Sequence, residues 1–284
     1  MTPAHSAFSI GGPAALSAST GLSYWAGWKH IGKWAGLGMI ALIYFPLVWL
    51  ALLSISVNPL SGIPGPISIE HYKALFANSA WHMPMVASLI IGLIVGLVCA
   101  VVATIVGRAV PNASHPGRML LMFVLPLFVP GMSMGAALFI FTRSILGLKL
   151  GFWSIALGHF VWAFPFALLI ILVLTTRFDH RLVEAGRDLG ASNWRVFWDI
   201  EFPILMPGIV SAGLFGFLMS FNEVMRTIFL RGTSETMPVW NWVQAAAQQS
   251  QVPIIFALAT LVLLVTLPLL ATAFWFLFVR LEKS

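Results

Sequence analysis

Six stretches of this chain are apolar for about the thickness of a lipid bilayer: 34–57, 85–107, 119–141, 152–174, 204–221 and 254–279. A helical crossing takes roughly 20 residues, since each residue rises about 1.5 Å through a hydrocarbon core about 30 Å thick. None of the six contains Asp, Glu, Lys or Arg, and the last is long enough to tilt. The pattern predicts an all-α, polytopic membrane protein with six transmembrane helices. Between the runs lie a Pro- and Gly-rich loop at 58–84, short loops at 108–118 and 142–151, a charged segment at 175–203 and a longer one at 222–253. Successive loops alternate sides.

Residues 1–33 precede the first run, and their first 24 are rich in Ser, Ala and Gly without Lys or Arg, unlike the basic start of a secretory signal. They are expected to be a flexible cytoplasmic tail, and 34–284 the membrane domain. Prolines 46, 126, 130, 165 and 268 fall inside spans, where neighbouring helices or cavity water can satisfy freed carbonyls. The spacings Gly92-x-x-x-Gly96, Gly131-x-x-x-Gly135 and Ala212-x-x-x-Gly216 predict close helix packing.

Composition agrees: 60% of residues are hydrophobic, with 12 Trp and 22 Phe, which calls for lipid as solvent. The net charge of +6 comes from Lys and Arg in loops, where they act as topology signals and define no nucleic-acid groove. Lys29, Lys33, Arg108, Arg118, Arg177, Arg181, Arg187, Arg195, Arg280 and Lys283 collect on one side, against Lys73, Arg143, Lys149, Arg226 and Arg231 on the other. The bias places both termini and the 175–203 loop in the cytoplasm.

Few residues carry chemistry. Cys99 is the single cysteine, so neither a disulfide framework nor a thiolate metal cluster is available. Gly27 to Trp34 matches the phosphate-loop pattern except at its last position, where Trp34 has no hydroxyl for magnesium, and no strand precedes it. No HExxH occurs, and no serine sits in a GxSxG turn, the one string of that form, Gly131 to Gly135, lying inside an apolar run. Ion-coupled carriers usually bury charged groups within the membrane, and these spans offer only His159, read as a packed hydrogen-bonding residue. Such a chain must draw its energy from a partner.

The run from Arg181 to Pro203 is the most charged in the sequence. Its first half has helical periodicity, with Leu182, Val183, Gly186 and Leu189 near one face. Gly190 then stands where a left-handed residue ends a helix, and Ser192 or Asn193 can cap a second helix carrying Trp194, Val196, Phe197 and Ile200. Two short helices meeting at a sharp turn are expected.

Within this run Glu184-Ala185-Gly186, then Gly190, then Ile200 and Pro203 reproduce the spacing of the EAA loop, and the chain resembles the permease subunits of binding-protein-dependent ABC importers. Gly186 replaces the second Ala of that pattern and Phe202 its Leu. The stretches Ser220-Phe221-Asn222-Glu223-Val224, Leu230-Arg231-Gly232 and Met237-Pro238-Val239-Trp240 are similar to the spermidine/putrescine-type permeases, although relatives often carry two acids where this chain has Asn222 and Glu223.

The resemblance implies a MetI-like permease fold in a bacterial inner membrane. The partners it implies are two cytoplasmic ABC ATPase subunits, a second permease subunit and a periplasmic solute-binding protein. ATP and Mg would sit on the ATPases, leaving no cofactor and no catalytic residue here. Glu184, Ala185, Gly186, Gly190, Ile200 and Pro203 would form the ATPase-coupling loop, with Glu184 pairing a basic residue of the ATPase. Asn222 and Glu223, at the outer end of the fifth span, would line the substrate pathway, where Glu223 either attracts the ammonium groups of a polyamine or stands as an edge carboxylate. Cargo alternatives are opines, amino-phosphonates and other small organic solutes; a non-transporting structural membrane protein is the alternative of another class. Residues 237–249 are expected as an outer interfacial helix, with Trp240 and Trp242 in the aromatic belt.

Overall fold

The computed structural model describes residues 19–275, and these are helical apart from short connections and one isolated bridge between Ser56 and Ile67. Helix α1 is Ser19–Ser54, α2 Glu70–Ala77 and α3 His82–Ala109. Then follow α4 (Pro116–Val124), α5 (Gly131–Ile140) and α6 (Phe152–Thr175). The charged segment forms α7 (Arg181–Asp188) and α8 (Asn193–Val196), and α9 is Phe202–Phe221. Three more helices follow among the described residues: α10 (Met225–Leu230), α11 (Met237–Ala247) and α12 (Val252–Trp275).

Helices α3, α6 and α9 pack on one another and hold the core, with Ile91, Ile155, Leu168 and Ile171 buried among them. The small residues of two of the expected spacings lie at these contacts, whereas Gly131 and Gly135 face α10. A Cβ on Gly96 would come within 2.6 Å of the Gly213 carbonyl oxygen, and one on Gly216 within 2.9 Å of Cys99 Cβ. Backbones touch because nothing larger stands between them. Helices α1 and α12 pair at the periphery, where apolar side chains such as Leu42, Phe45, Leu264 and Leu269 remain exposed to the surroundings, as suits lipid.

Among the described residues, five helices are long and apolar enough to cross a membrane. The third expected span, 119–141, is not one straight helix: Pro116–Phe128 and Gly131–Ile145 meet at 104°. Pro126 and Pro130 lack the N–H groups that would carry the helix on, and Pro130 forces Val129 into an extended conformation (φ −83°, ψ 126°). The count of six spans holds when this bent pair is taken as one.

Other boundaries also shift. The flexible tail expected over 1–33 gives way to helix from Ser19, so 19–33 extend α1; residues 1–18, and the end of the last expected span beyond 275, lie outside the described residues. The stretch 27–34 is an uninterrupted part of α1 and forms no phosphate loop. The second loop helix does not stand apart from the membrane: α8 passes through a π turn, Phe197–Glu201, directly into α9, giving one apolar rod, Asn193–Phe221. Trp240, expected in the aromatic belt, is buried against Leu75 and Leu258, whereas Trp242 is exposed.

Candidate coupling loop and translocation cleft

Helix α7 is amphipathic and ends as its sequence requires. Gly190 takes φ +83° and donates its N–H to Arg187 O at 2.8 Å, while Ala191 N bonds Gly186 O at 3.1 Å. These two bonds close the helix in a Schellman turn, and the left-handed conformation is cheap for glycine alone. Ser192 then caps α8, its Oγ accepting from Arg195 N at 3.4 Å.

On its inner face α7 rests on the rod that continues into the membrane. Val183, Gly186 and Val196 are buried, and a Cβ on Gly186 would approach Ile200 Cδ1 to 2.8 Å. Gly186 and Ile200 are thus brought into contact across the turn. Glu184 and Ala185 face outward, and Glu184 takes part in no ion pair among the described residues. Pro203 is exposed and directly follows the π turn, so its missing N–H falls at the break in the regular α-helical bonding of the rod.

Behind α7 lies a cleft of about 620 Å³ lined by Arg108, Asn112, His180, Glu184, Arg187 and Glu201 among others. Arg108 and Glu201 form an ion pair across it, and the Arg108 guanidinium lies 4.6 Å from the centre of the Phe197 ring.

A second polar constellation sits at the other end of α9. Short helix α10 is held between α5 and α6: Gly135 admits Phe229, Gly158 admits Leu230, and the Leu230 carbonyl accepts from Gly151 N at 3.1 Å and Ser154 Oγ at 2.7 Å. This seat buries Glu223 and Arg226, which are 7% and 3% exposed. Glu223 Oε2 accepts from Arg226 Nη1 at 2.8 Å and Oε1 from Arg226 N at 3.0 Å, while the guanidinium stacks 3.9 Å from the centre of the Trp162 ring. Removing one member of such a pair costs about 3–5 kcal/mol, because the other is left buried without a counter-charge. The reading of Glu223 as an open carboxylate or snorkelling edge residue is therefore corrected: it is internal and paired.

His159 is tied into the same region. Thr227 Oγ1 donates to Glu223 O at 3.0 Å, so it accepts from His159 Nε2–H at 2.7 Å, and Nδ1 is left to accept from Ser220 Oγ at 2.8 Å. This buried relay fixes one neutral tautomer and is structural, as the sequence suggested. Asn222, in contrast, is exposed and lines, with Glu223, Arg226, Trp162 and Pro130, a cleft of about 600 Å³ at the bend of the third span. The structure thus brings Asn222 and Glu223 into one cleft. Trp162 and Arg226 join them there, and no local pattern in the sequence marked either for this cleft.

Residues 92–280 match the family described as the binding-protein-dependent transport system inner membrane component. The chain is 31% identical over 154 residues to the spermidine/putrescine transport system permease protein PotC of Haemophilus influenzae, a match covering 54% of this chain and 57% of that protein, little more than half its length. It is 24% identical over 225 residues to the trehalose transport system permease protein SugB of Mycobacterium tuberculosis, covering 75% and 81% of the two. Its fold is similar to a chain in the crystal structure of a bacterial ABC transporter involved in the import of the acidic polysaccharide alginate, with TM-score 0.66, 15% identity, and coverage of 93% of this chain and 100% of that one.

Proposed function

This chain belongs to the family of binding-protein-dependent transport system inner membrane components, and from that premise we propose that it is a permease subunit of an ATP-driven ABC importer, forming half of the translocation pathway for a small solute. The observation that carries this is the placement of Glu184. Exposed and without an ion-pair partner among the described residues, it stands on a helix that is braced, through Gly186 on Ile200, against the root of a membrane-crossing rod.

In this reading α7 seats in a cytoplasmic ATPase, with Glu184 opposite a cation and small Ala185 permitting close approach. Gly190 turns the chain back, and Ile200 and Pro203 join the docked helix to α9. ATP-driven closure of two ATPase subunits then moves α7 and α9 together, and the pathway opens alternately to each side. ATP and Mg²⁺ act on the ATPases, and this chain is not an enzyme. A second permease subunit completes the pathway, a periplasmic binding protein delivers the solute, and both termini lie in the cytoplasm of a bacterium whose inner membrane holds the complex.

The first reading of the cargo is a polyamine, supported by likeness to PotC. A second, an opine, amino-phosphonate or similar small organic solute, is favoured by the Glu223–Arg226 pair, which leaves the carboxylate without free charge.

Glu184→Lys tests the coupling. Reversing the charge sets repulsion against the expected ATPase cation, and losing one partner of such a contact costs roughly 2–5 kcal/mol. Insertion should persist while ATPase recovery on purification of the tagged permease falls. Normal recovery with normal uptake would refute the docking role. Reporters fused after Asn112 or Gly190 should behave as cytoplasmic, and those near Gly62 or Gln248 as periplasmic; inverted labelling would refute the orientation.

A further inference from the structure

We propose that the cleft at the bend of the third span receives an anionic oxygen group of the solute, a carboxylate or phosphonate, on Arg226, so that the cargo is a zwitterionic amine and not a polycation. This rests on the permease reading and narrows its cargo.

The cleft has no free carboxylate to offer an ammonium group. Both Glu223 oxygens are already taken by Arg226, and the neighbouring side chain is the uncharged Asn222. The face of Trp162, which would otherwise attract a cation, is occupied by the guanidinium of Arg226 at 3.9 Å. An ammonium group that displaced Arg226 would strand a buried guanidinium without an anion.

Donors, by contrast, are in surplus. Among the described residues only Nη1 of the guanidinium has a protein acceptor; Nε is sealed from the cleft, and Nη2, unpaired and not sealed, is the donor a solute can reach. An open donor on a buried cation is satisfied by an anionic acceptor at no cost to the existing pair. The same cleft is lined by Gly131, which opens α5. Met134 N is the first to bond back, to Pro130 O, so the N–H groups before it have no helical partner and present the positive end of the helix. Arg226 Nη1 lies 3.7 Å from where a Gly131 Cβ would stand, so dipole and guanidinium reinforce one another. Asn222 Nδ2 is engaged with Leu218 O at 3.1 Å, leaving Oδ1 to accept from the amine of the same solute.

The test uses the complex isolated from native membranes through a tag on this chain and placed in lipid nanodiscs. Saturation-transfer NMR is recorded with putrescine, 4-aminobutyrate and 2-aminoethylphosphonate, which share a primary amine on a short chain and differ in the far group. The two zwitterions should give signals and putrescine none. Arg226→Gln should weaken the zwitterions on the order of tenfold, the loss of one charge-assisted hydrogen bond, while Glu223→Gln should retain them. Because Arg226→Gln strands Glu223 and risks misfolding, Glu223→Gln/Arg226→Gln, which removes both charges, carries the same expectation. Putrescine binding as well as or better than the zwitterions, silence of all three probes, or zwitterion binding that survives the double variant would overturn the proposal. ATPase recovery is scored on each preparation, so a complex that retains its ATPase but selects putrescine refutes the cargo alone.

Discussion

Arg108 and Glu201, 93 positions apart in the chain, meet as an ion pair at 2.5 Å beneath helix α7. The pair joins the end of α3 to the π turn that leads into α9, and Phe197 of that turn packs under the guanidinium. The rod on which α7 rests is thereby tied to a second crossing helix.

The Arg108 and Glu201 side chains are 38% and 13% exposed, so the pair should contribute about 1–2 kcal/mol, between an open surface bridge and a buried one. A double-mutant cycle with Arg108→Gln and Glu201→Gln, read by thermal unfolding in detergent, should show coupling of that size. Additive effects would mean that the two ends are not energetically joined.

Gly190 is a conformational requirement, since no atom lies within 4 Å of the position a Cβ would take. At φ +83° an alanine should cost about 1 kcal/mol, valine more and asparagine least, in the order of their tolerance for the left-handed region. The measurement is stability of the three variants together with ATPase recovery. Valine tolerated as well as asparagine would contradict the Schellman turn.

Gly186 fails differently when enlarged. A Cβ there meets the flexible tip of Ile200 at 2.8 Å, so Gly186→Ala should be absorbed by a rotamer change, whereas Gly186→Val should lift α7 off the rod. Shortening the neighbour, in Gly186→Val/Ile200→Ala, should restore much of the lost ATPase recovery. No rescue would place the defect outside this contact.

His159→Ala should destabilise the region by about 2–3 kcal/mol, because the hydroxyls of Ser220 and Thr227 lose their partner in a buried site. Unfolding in the presence of denaturant reports it. An unchanged midpoint would show that water replaces the imidazole.

Much of the coupling loop could be read from sequence because its signals are local. The periodicity of α7, the glycine at its end and the serine that caps α8 all act within a few residues. The continuity of α8 with α9 was hidden, since Arg195, Asp199 and Glu201 interrupt the apolar pattern without interrupting the helix. The bend at Pro130 was hidden for the opposite reason: hydropathy stays high across it, and prolines inside spans are often tolerated. Glu223 and Arg226 are three residues apart, yet their burial depends on α5 and α6, which no local pattern reports.

The two arms of the bent span carry a consequence for biogenesis. Pro116–Phe128 and Gly131–Ile145 are each too short to cross a bilayer, whereas the apolar stretch that contains both is long enough to be inserted as one segment. The wedge that packs against the second arm, Met225–Leu230, is translated only after helices α6 to α9 have been made. The span is therefore expected to enter the membrane extended and to fold at Pro130 afterwards, when its wedge arrives. Nascent chains arrested before Met225 should place cysteines on either side of Pro130 at different depths, and chains arrested well beyond Leu230 should draw them toward the same depth.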